Sequence, residues 1–170
     1  MDSYFAGKWS DNSLDTYQFS GWKLIDKVNS LNPDRVLDLG CGFNRFKGKI
    51  HNLIGIDPYN DCADYKCSVE EYNGPSANVV LCLGSINFGN EEIIDRQLKI
   101  VDSLFTKRAF FRVNPGISHS WNNDWKDITW FKWTEEKINS VANEYKYNLD
   151  VFEKEHTVQG HLRYYFEYSK

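Results

Sequence analysis

Apolar residues recur along this chain with two spacings, one typical of helices and the other of buried strands. In residues 14–31 they lie mostly three to four positions apart, which predicts a helix with one apolar face. Residues 35–39 and 52–57 are short, nearly continuous apolar runs, as expected for strands covered on both faces. The same reasoning predicts three more strands, at 65–69, 78–83 and 109–113, and a helix at 91–105.

The last third of the chain has a different order of elements. Thr134 is a predicted N-cap, and a helix is predicted to run from there to about Tyr147. Two extended runs, 149–156 and 162–168, then predict an antiparallel hairpin at the edge of the sheet. Because strands that alternate with helices favour parallel pairing, the predicted fold is α/β: a Rossmann-like, doubly wound, mostly parallel sheet with a C-terminal antiparallel hairpin. A single domain is predicted to span residues 1–170.

Composition and charge restrict the classes of function. The 170 residues are 41% hydrophobic and 26% charged, a globular composition that fits one domain. A formal net charge of −4 argues against a nucleic-acid partner, since binding a phosphate backbone needs clustered Lys and Arg. No apolar run approaches the ~20 residues that cross a bilayer, and the N-terminal residues lack the order of a signal peptide. We therefore expect no membrane association and a cytoplasmic location.

The four cysteines, at positions 41, 62, 67 and 82, do not follow the paired spacing of a zinc site. Without a secretory signal, disulfide bonds are also disfavoured. We expect reduced thiols and no bound metal.

The stretch VLDLGCG, residues 36–42, carries the first chemical signal. Its two glycines follow a predicted buried strand, and Asp57 ends the next strand. In an open parallel sheet, ligands bind beyond the carboxyl ends of the strands, where glycines allow close approach of the backbone and an acid can accept ribose hydroxyls. A nicotinamide dinucleotide favours a third glycine where this chain has Arg45, so phosphate binding is disfavoured. Asp38 suits a ligand that carries positive charge.

Together with LIGIDPY at residues 53–59, this turn resembles the cofactor-binding signature of class I S-adenosylmethionine-dependent methyltransferases. The resemblance implies that the glycine turn lies under the methionine part of S-adenosylmethionine, with Asp38 near its amino group. It also implies that Asp57 holds the ribose hydroxyls and that Pro58 or Tyr59 flanks the adenine. The cofactor-binding residues implied are Asp38, Gly40, Cys41, Gly42, Asn44, Asp57, Pro58, Tyr59, Ser68, Val69, Leu83 and Gly84.

Further along the chain, the resemblance implies contacts from the ends of the next two predicted strands. The Ser68 hydroxyl is expected to accept a bond from the adenine amine, and Val69 to supply a backbone contact. Backbone carbonyls of Leu83 and Gly84 are expected to line the cofactor.

The turn departs from the family pattern in two ways. Asn44 stands where the family usually has glycine or another small residue, and the crossover 44–51 is too short for the usual helix. We expect that helix to be trimmed to about one turn or replaced by a loop. Asn44 and Phe46 are then expected to close over the methionine end of the cofactor.

The reaction centre is less well marked. The [DNS]PP[YFW] run of base amine methylation and a Pro-Cys nucleophile are both absent, which disfavours nucleic-acid bases as acceptors. His119 is the candidate general base because histidine is matched to neutral pH, and Asn87 and Asp124 are its candidate catalytic neighbours. The alternative for His119 is a loop residue bonded to the backbone.

The sequence favours a methyltransferase that uses S-adenosylmethionine, without a metal, to methylate a small molecule or a protein side chain. Trp121 and Trp125 are candidates for the acceptor pocket, whereas Trp130 and Trp133 are expected to pack beneath the last helix. A catalytically inactive protein that binds S-adenosylmethionine or S-adenosylhomocysteine, acting as a regulator or assembly partner, is the alternative. A nicotinamide-dependent oxidoreductase is disfavoured, and the oligomeric state is left open.

Overall fold

A six-stranded sheet organises the part of the chain that the computed structural model describes, which is residues 21–116, 128–156 and 160–170. The elements in chain order are α1 (Leu24–Ser30), β1 (Val36–Leu39), β2 (Leu53–Ile56), β3 (Ala77–Leu83), α2 (Glu91–Leu104), β4 (Phe105–Val113), α3 (Glu135–Tyr145), β5 (Asn148–His156) and β6 (Leu162–Ser169). No helix in these ranges has both the length and the apolar character needed to span a bilayer.

The strands lie in the order β2-β1-β3-β4-β6-β5. Strands β1 to β4 pair in parallel, whereas β6 is antiparallel to both β4 and β5. The predicted fold, a mostly parallel sheet with a C-terminal antiparallel hairpin, is therefore confirmed. Because β2 and β3 flank β1 on opposite sides, the carboxyl ends of these three strands meet where the strand order reverses, which is where open sheets bind ligands.

Helices cover both faces of the sheet. On one face, Leu24 and Val28 of α1 pack with Phe110 of β4. On the other, α2 and α3 contribute Leu98 and Ile138 to a larger apolar layer. All four residues of β1 are buried, which explains why its sequence is nearly continuously apolar.

The predicted strand at 65–69 is wrong. Tyr65 makes a single parallel bridge with Ile56, and the chain then turns. The cause is a reciprocal cap: the Ser68 amide donates to Glu71 Oε2 at 2.9 Å, and the Glu71 amide donates to Ser68 Oγ at 3.3 Å. This pairing stabilises the start of a helical turn and competes with an extended chain. The S-x-x-E spacing is visible in the sequence and could have indicated the turn.

The short crossover after β1 contains no helix, in agreement with the sequence prediction. Residues 41–51 form consecutive turns, and Gly48 adopts a left-handed backbone conformation, with φ +77°. Elsewhere the boundaries move slightly: β4 begins at Phe105, directly after α2, and α3 ends at Tyr145 because Lys146 is left-handed, with φ 59°. Residues 14–20 of the first predicted helix lie outside the described ranges.

A buried carboxylate connects α1 to the antiparallel side of the sheet. The side chain of Glu167 on β6 is fully buried and accepts hydrogen bonds from Lys27, Tyr165 and Arg108, the last at 2.9 Å. Burial raises the pKa of Glu167, but the bonds from Lys27, Tyr165 and Arg108 outweigh it, so the pKa lies below its ordinary value. The stabilisation is thus present at neutral pH and is lost as the pH falls through the pKa of the folded state.

Replacing Glu167 with alanine should lower the free energy of unfolding by about 3–5 kcal/mol, since the substitution leaves two cations and a phenol without their buried partner. Glu153→Ala, at an exposed position on the neighbouring strand, is the matched control and should change it by less than about 0.5 kcal/mol. Urea unfolding at pH 7 measures both values. Equal effects of the two substitutions would contradict this role for Glu167.

Candidate functional site

A cavity of about 420 Å³ opens beyond the carboxyl ends of β1, β2 and β3. Its volume is within the range of small-molecule and cofactor sites, roughly 300–1,000 Å³. It is lined by all the predicted cofactor-binding residues except one: Asp38, Gly40, Cys41, Gly42, Asp57, Pro58, Tyr59, Ser68, Val69, Leu83 and Gly84. The exception is Asn44.

The turn after β1 depends on its glycines. Gly40 and Gly42 have φ values of 73° and 51°, in the left-handed region that favours glycine. A Cβ atom on Gly40 would also lie 2.4 Å from the Cβ of Ser85, which is closer than real contacts allow. The backbone of the turn therefore packs directly against the segment that leaves β3, and a side chain at Gly40 has no room.

The Asp57 carboxylate joins the glycine turn to the loop after β2. Its Oδ2 accepts a hydrogen bond from the Gly42 amide at 3.0 Å, and its Oδ1 accepts from the amides of Tyr59 and Asn60 at 2.9 and 3.0 Å. A carboxylate offers roughly four lone-pair positions, so about one is left for a ligand. To accept both hydroxyls of a ribose, Asp57 would have to release one of these amides.

Asp38 is a buried acid beside this carboxylate. Its side chain lines the cavity, the residue is 4% exposed, and none of the described residues donates a hydrogen bond to it. Burial and, to a smaller degree, the charge of Asp57 raise the pKa of Asp38 to about 7. Two acids side by side at the cavity wall favour a positively charged ligand.

The Cys41 thiol also lines the cavity but is not activated. Burial and the charges of Asp38, Asp57 and Asp64 raise its pKa, so the thiol stays protonated and is a poor nucleophile. Among the described residues, no group of three or more His, Cys, Asp or Glu side chains is placed to hold a metal ion.

One end of the cavity is formed by the Ser68 turn and by α2. The Ser68 hydroxyl already accepts the Glu71 amide, which leaves its proton and one lone pair for a ligand. Gln97 Nε2 donates to Glu70 Oε1 at 2.7 Å and joins the helix to the turn. The apolar wall here includes Val69, which is 8% exposed.

The segment leaving β3 forms another wall. Gly84 has φ +111°, and a Cβ atom placed on it would have no atom within 4 Å, so the absence of a side chain leaves open space there. Phe88 also lines the cavity and packs on Trp130, with ring centroids 4.7 Å apart. Trp130 is thus beside the site and not beneath the last helix, whereas Trp133 is fully buried in the same apolar layer as that helix.

Asn44 faces away from the cavity. The side chain is buried against β2, where a Cβ atom on Gly55 would lie 2.5 Å from Asn44 Oδ1. Because Gly55 has no Cβ, the Asn44 side chain can occupy that space. Phe46, which was expected to act with Asn44, does line the cavity and is 1% exposed.

The predicted catalytic residues are not brought together within the described residues. Asn87 is 2% exposed, does not line the cavity, and its Oδ1 accepts the Asn114 amide at 2.8 Å. That bond joins the segments that leave β3 and β4. His119 and Asp124, like Trp121 and Trp125, lie outside the described residues.

Sequence reasoning missed part of the cavity wall. These residues were not predicted to bind the cofactor but line the cavity: Phe43, Arg45, Ile56, Cys67, Glu70, Ser85, Phe88, Ile93, Arg96 and Gln97. Arg96 and Gln97 of α2 lie three and four positions after Ile93 and so share a helix face with it, which is a pattern visible in the sequence.

The fold is shared with solved structures of low sequence identity. The 1,6-didemethyltoxoflavin-N1-methyltransferase of Burkholderia thailandensis, with bound S-adenosylhomocysteine, has a TM-score of 0.73 at 14% identity over 99% of this chain and 86% of that chain. The magnesium protoporphyrin IX methyltransferase of Synechocystis, also with S-adenosylhomocysteine, has a TM-score of 0.75 at 11% identity, covering 99% and 97%. The N-methyltransferase NodS of Bradyrhizobium japonicum, in complex with S-adenosylhomocysteine, has a TM-score of 0.73 at 6% identity, again covering 99% and 97%.

The sequence itself matches no protein-family model and no curated protein, so the likeness is one of three-dimensional structure. In each of the three comparisons, that likeness covers 99% of this chain. The chain therefore has the fold of the class I S-adenosylmethionine-dependent methyltransferases.

Proposed function

We propose that this protein is a methyltransferase that uses S-adenosylmethionine to methylate a small molecule or a protein side chain. The observation that carries the proposal is the buried Asp38 carboxyl, which lines the cavity beside Asp57 and lacks a hydrogen-bond donor among the described residues. S-adenosylmethionine carries an ammonium and a sulfonium and lacks phosphate, so its charge is complementary to these acids. The three structural neighbours named above, all with bound S-adenosylhomocysteine, support the same ligand class.

The cofactor would supply an electrophilic methyl group, and the chain would supply charge and position. Asp38 would hold the amino group, and Asp57 would accept a ribose hydroxyl through its remaining lone pair. Tyr59 and Pro58 would contact the adenine on one side, and the Ser68 turn would bond its polar edge.

Apolar walls contribute by excluding water. Phe46, Leu83 and Phe88 line the cavity near the turn and the exit of β3. Exclusion of water strengthens the attraction between the acids and a cationic ligand, because the local dielectric constant is low. Positioning of the acceptor would then supply much of the rate acceleration.

The acceptor side of the reaction is assigned only by the sequence. We keep His119 as the proposed general base and Asp124 as its proposed neighbour. Asn87 would act indirectly, by fixing the Asn114 amide and so the start of the segment that carries His119. The proposed cytoplasmic location also rests on the sequence alone.

A second candidate function is a binding protein without catalysis, acting as a regulator or assembly partner through S-adenosylmethionine or S-adenosylhomocysteine. The placement of Asn87 favours it, because the one predicted catalytic residue in the described part is buried and its oxygen is committed to the backbone. This candidate needs the same cavity but no acceptor.

Calorimetry with S-adenosylmethionine, S-adenosylhomocysteine and NAD tests the ligand class. The first two should bind and NAD should not, because the turn lacks the third glycine that phosphate binding favours. Asp57→Ala should weaken binding by about tenfold or more, since it removes one bond to the ligand and three that hold the site. Asp61→Ala, an exposed position in the same loop, is the matched control and should leave the affinity unchanged. Unchanged affinity in Asp57→Ala would contradict the assignment.

Transfer of a labelled methyl group separates the two candidate functions. Wild-type protein incubated with methyl-labelled S-adenosylmethionine and fractionated metabolite and protein extracts should transfer label, and His119→Ala should transfer far less. Label at background in every fraction, with tight cofactor binding, would favour the binding protein.

The raised pKa of Asp38 predicts a specific pH dependence. A raised pKa means that the folded state binds this proton more tightly than the unfolded chain does. The contribution of Asp38 to the free energy of unfolding therefore falls as the pH rises from about 4 to about 7. Urea unfolding of the ligand-free proteins should show that the free energy of unfolding declines less between pH 5 and pH 8 in Asp38→Asn than in wild type. Binding of S-adenosylmethionine should strengthen over the same interval in wild type, because the ionised carboxylate attracts the cation. Parallel stability profiles of the two proteins would rule out this titration.

A further inference from the structure

We propose that Asn44, Asp64 and Lys47 form a latch that positions the cofactor site without touching the ligand. This latch, the Asn44–Asp64 latch, holds the glycine turn against the loop 57–69, and its effect on cofactor affinity rests on the proposed function. None of its three residues lines the cavity, so they are positioning residues.

The latch is a connected set of hydrogen bonds. Asn44 Nδ2 donates to the Cys62 carbonyl at 2.9 Å and to Asp64 Oδ2 at 3.3 Å. Asp64 Oδ2 also accepts the Gly55 amide at 2.8 Å. Lys47 Nζ donates to Asp64 Oδ1 at 2.6 Å and to the Leu53 carbonyl at 2.9 Å. The set thus connects the turn, the outer edge of β2 and the loop.

The orientation of the Asn44 amide is determined by its partners. A carbonyl and a carboxylate can only accept, so the nitrogen must face Cys62 and Asp64. The opposite atom, Oδ1, is then buried with no donor among the described residues. Asn44 also has φ 51°, in the left-handed region that glycine and, among the other residues, asparagine adopt most readily. The buried, unpaired oxygen is unfavourable, so the side chain contributes through the bonds that its nitrogen makes.

A backbone bridge between Ile56 and Tyr65 holds the loop to the outer edge of β2, but it does not reach the glycine turn. No helix follows the glycine turn, and among the described residues no further strand pairs with the outer edge of β2. Besides the latch, the bond from the Gly42 amide to Asp57 joins the turn to the loop. Since Asp64 lies in the chain between Asp57 and Ser68, the latch controls how the two ends of the cavity are placed relative to the turn.

The charge of Asp64 keeps the latch closed at neutral pH. Partial burial raises the pKa of Asp64, but hydrogen bonds from Lys47, Gly55 and Asn44 outweigh it, so the pKa lies below its ordinary value. A second acid in the loop, Asp61, is exposed and pairs with Lys66, also in the loop. That pair does not reach the turn and offers a matched comparison.

Three substitutions test the latch by calorimetry with S-adenosylmethionine and S-adenosylhomocysteine. Asn44→Gly keeps the left-handed backbone and removes the side-chain bonds, and Asp64→Ala removes the acceptor. Each should weaken binding by about tenfold, as expected for loss of bonds to a charged group. Lys47→Met, at an exposed position where folding should survive, should weaken it by about two- to fivefold. The controls Asp61→Ala and Lys66→Met should leave both affinities unchanged.

Hydrogen exchange of the ligand-free proteins gives a second measurement. Peptides that cover 40–46 and 57–67 should exchange faster in Asn44→Gly and Asp64→Ala, whereas those from β4 and β6 should not. The double variant should lose about as much affinity as either single variant, because both substitutions open the same latch.

The outcomes separate this inference from the proposed function. If wild-type protein binds neither compound, the proposed function fails, and the exchange data alone decide whether the latch exists. If wild type binds and the variants bind equally well at a temperature where all are folded, the latch does not position the site. The inference would likewise be wrong if Asn44→Gly and Asp64→Ala lowered thermal stability but changed neither the affinity nor the exchange of the two peptides.

Discussion

The hydrogen bond from the Gly42 amide to the Asp57 carboxylate joins the ends of two neighbouring strands, and the geometry of the cavity depends on it. Together with the Asn44–Asp64 latch, this bond connects the turn after β1 to the loop after β2. The Asp57 carboxylate accepts hydrogen bonds from three backbone amides and has about one lone pair left for a ligand. The same carboxylate lies close enough to Asp38 to raise the pKa of that group.

This arrangement is unfavourable in the absence of a ligand. A buried acid next to a second acid reduces the stability of the empty protein, whereas the separate buried network around Glu167 joins α1, β4 and β6 and stabilises the fold. Stability and ligand complementarity are thus located in different parts of the sheet. Strain at a binding site that is supported by the rest of the fold is a common arrangement in proteins.

Much of the fold could be predicted from the sequence because its determinants are local. The continuous apolar runs of β1 and β2 and the spacing within α2 each report a burial pattern directly. The strand at 65–69 was predicted wrongly since the Ser68–Glu71 cap outweighs strand propensity there. Among the site residues, Asp38 is marked by its position near the end of β1, and Asp57 by its position directly after β2. The orientation of Asn44 away from the cavity depends on Gly55, which is distant in the chain, and no local pattern indicates that contact.

The closed outer edge of β2 has a consequence for assembly. The free carbonyls and amides of an edge strand are usually a template on which another chain adds a strand. Here the Leu53 carbonyl is bonded to Lys47, and the amide and carbonyl of Gly55 are bonded to the side chain and backbone of Asp64. A protein that docked by strand addition at this edge would first have to displace Asp64. Such a partner and the cofactor would therefore oppose each other, and thermodynamic linkage requires that each weaken the binding of the other by the same factor.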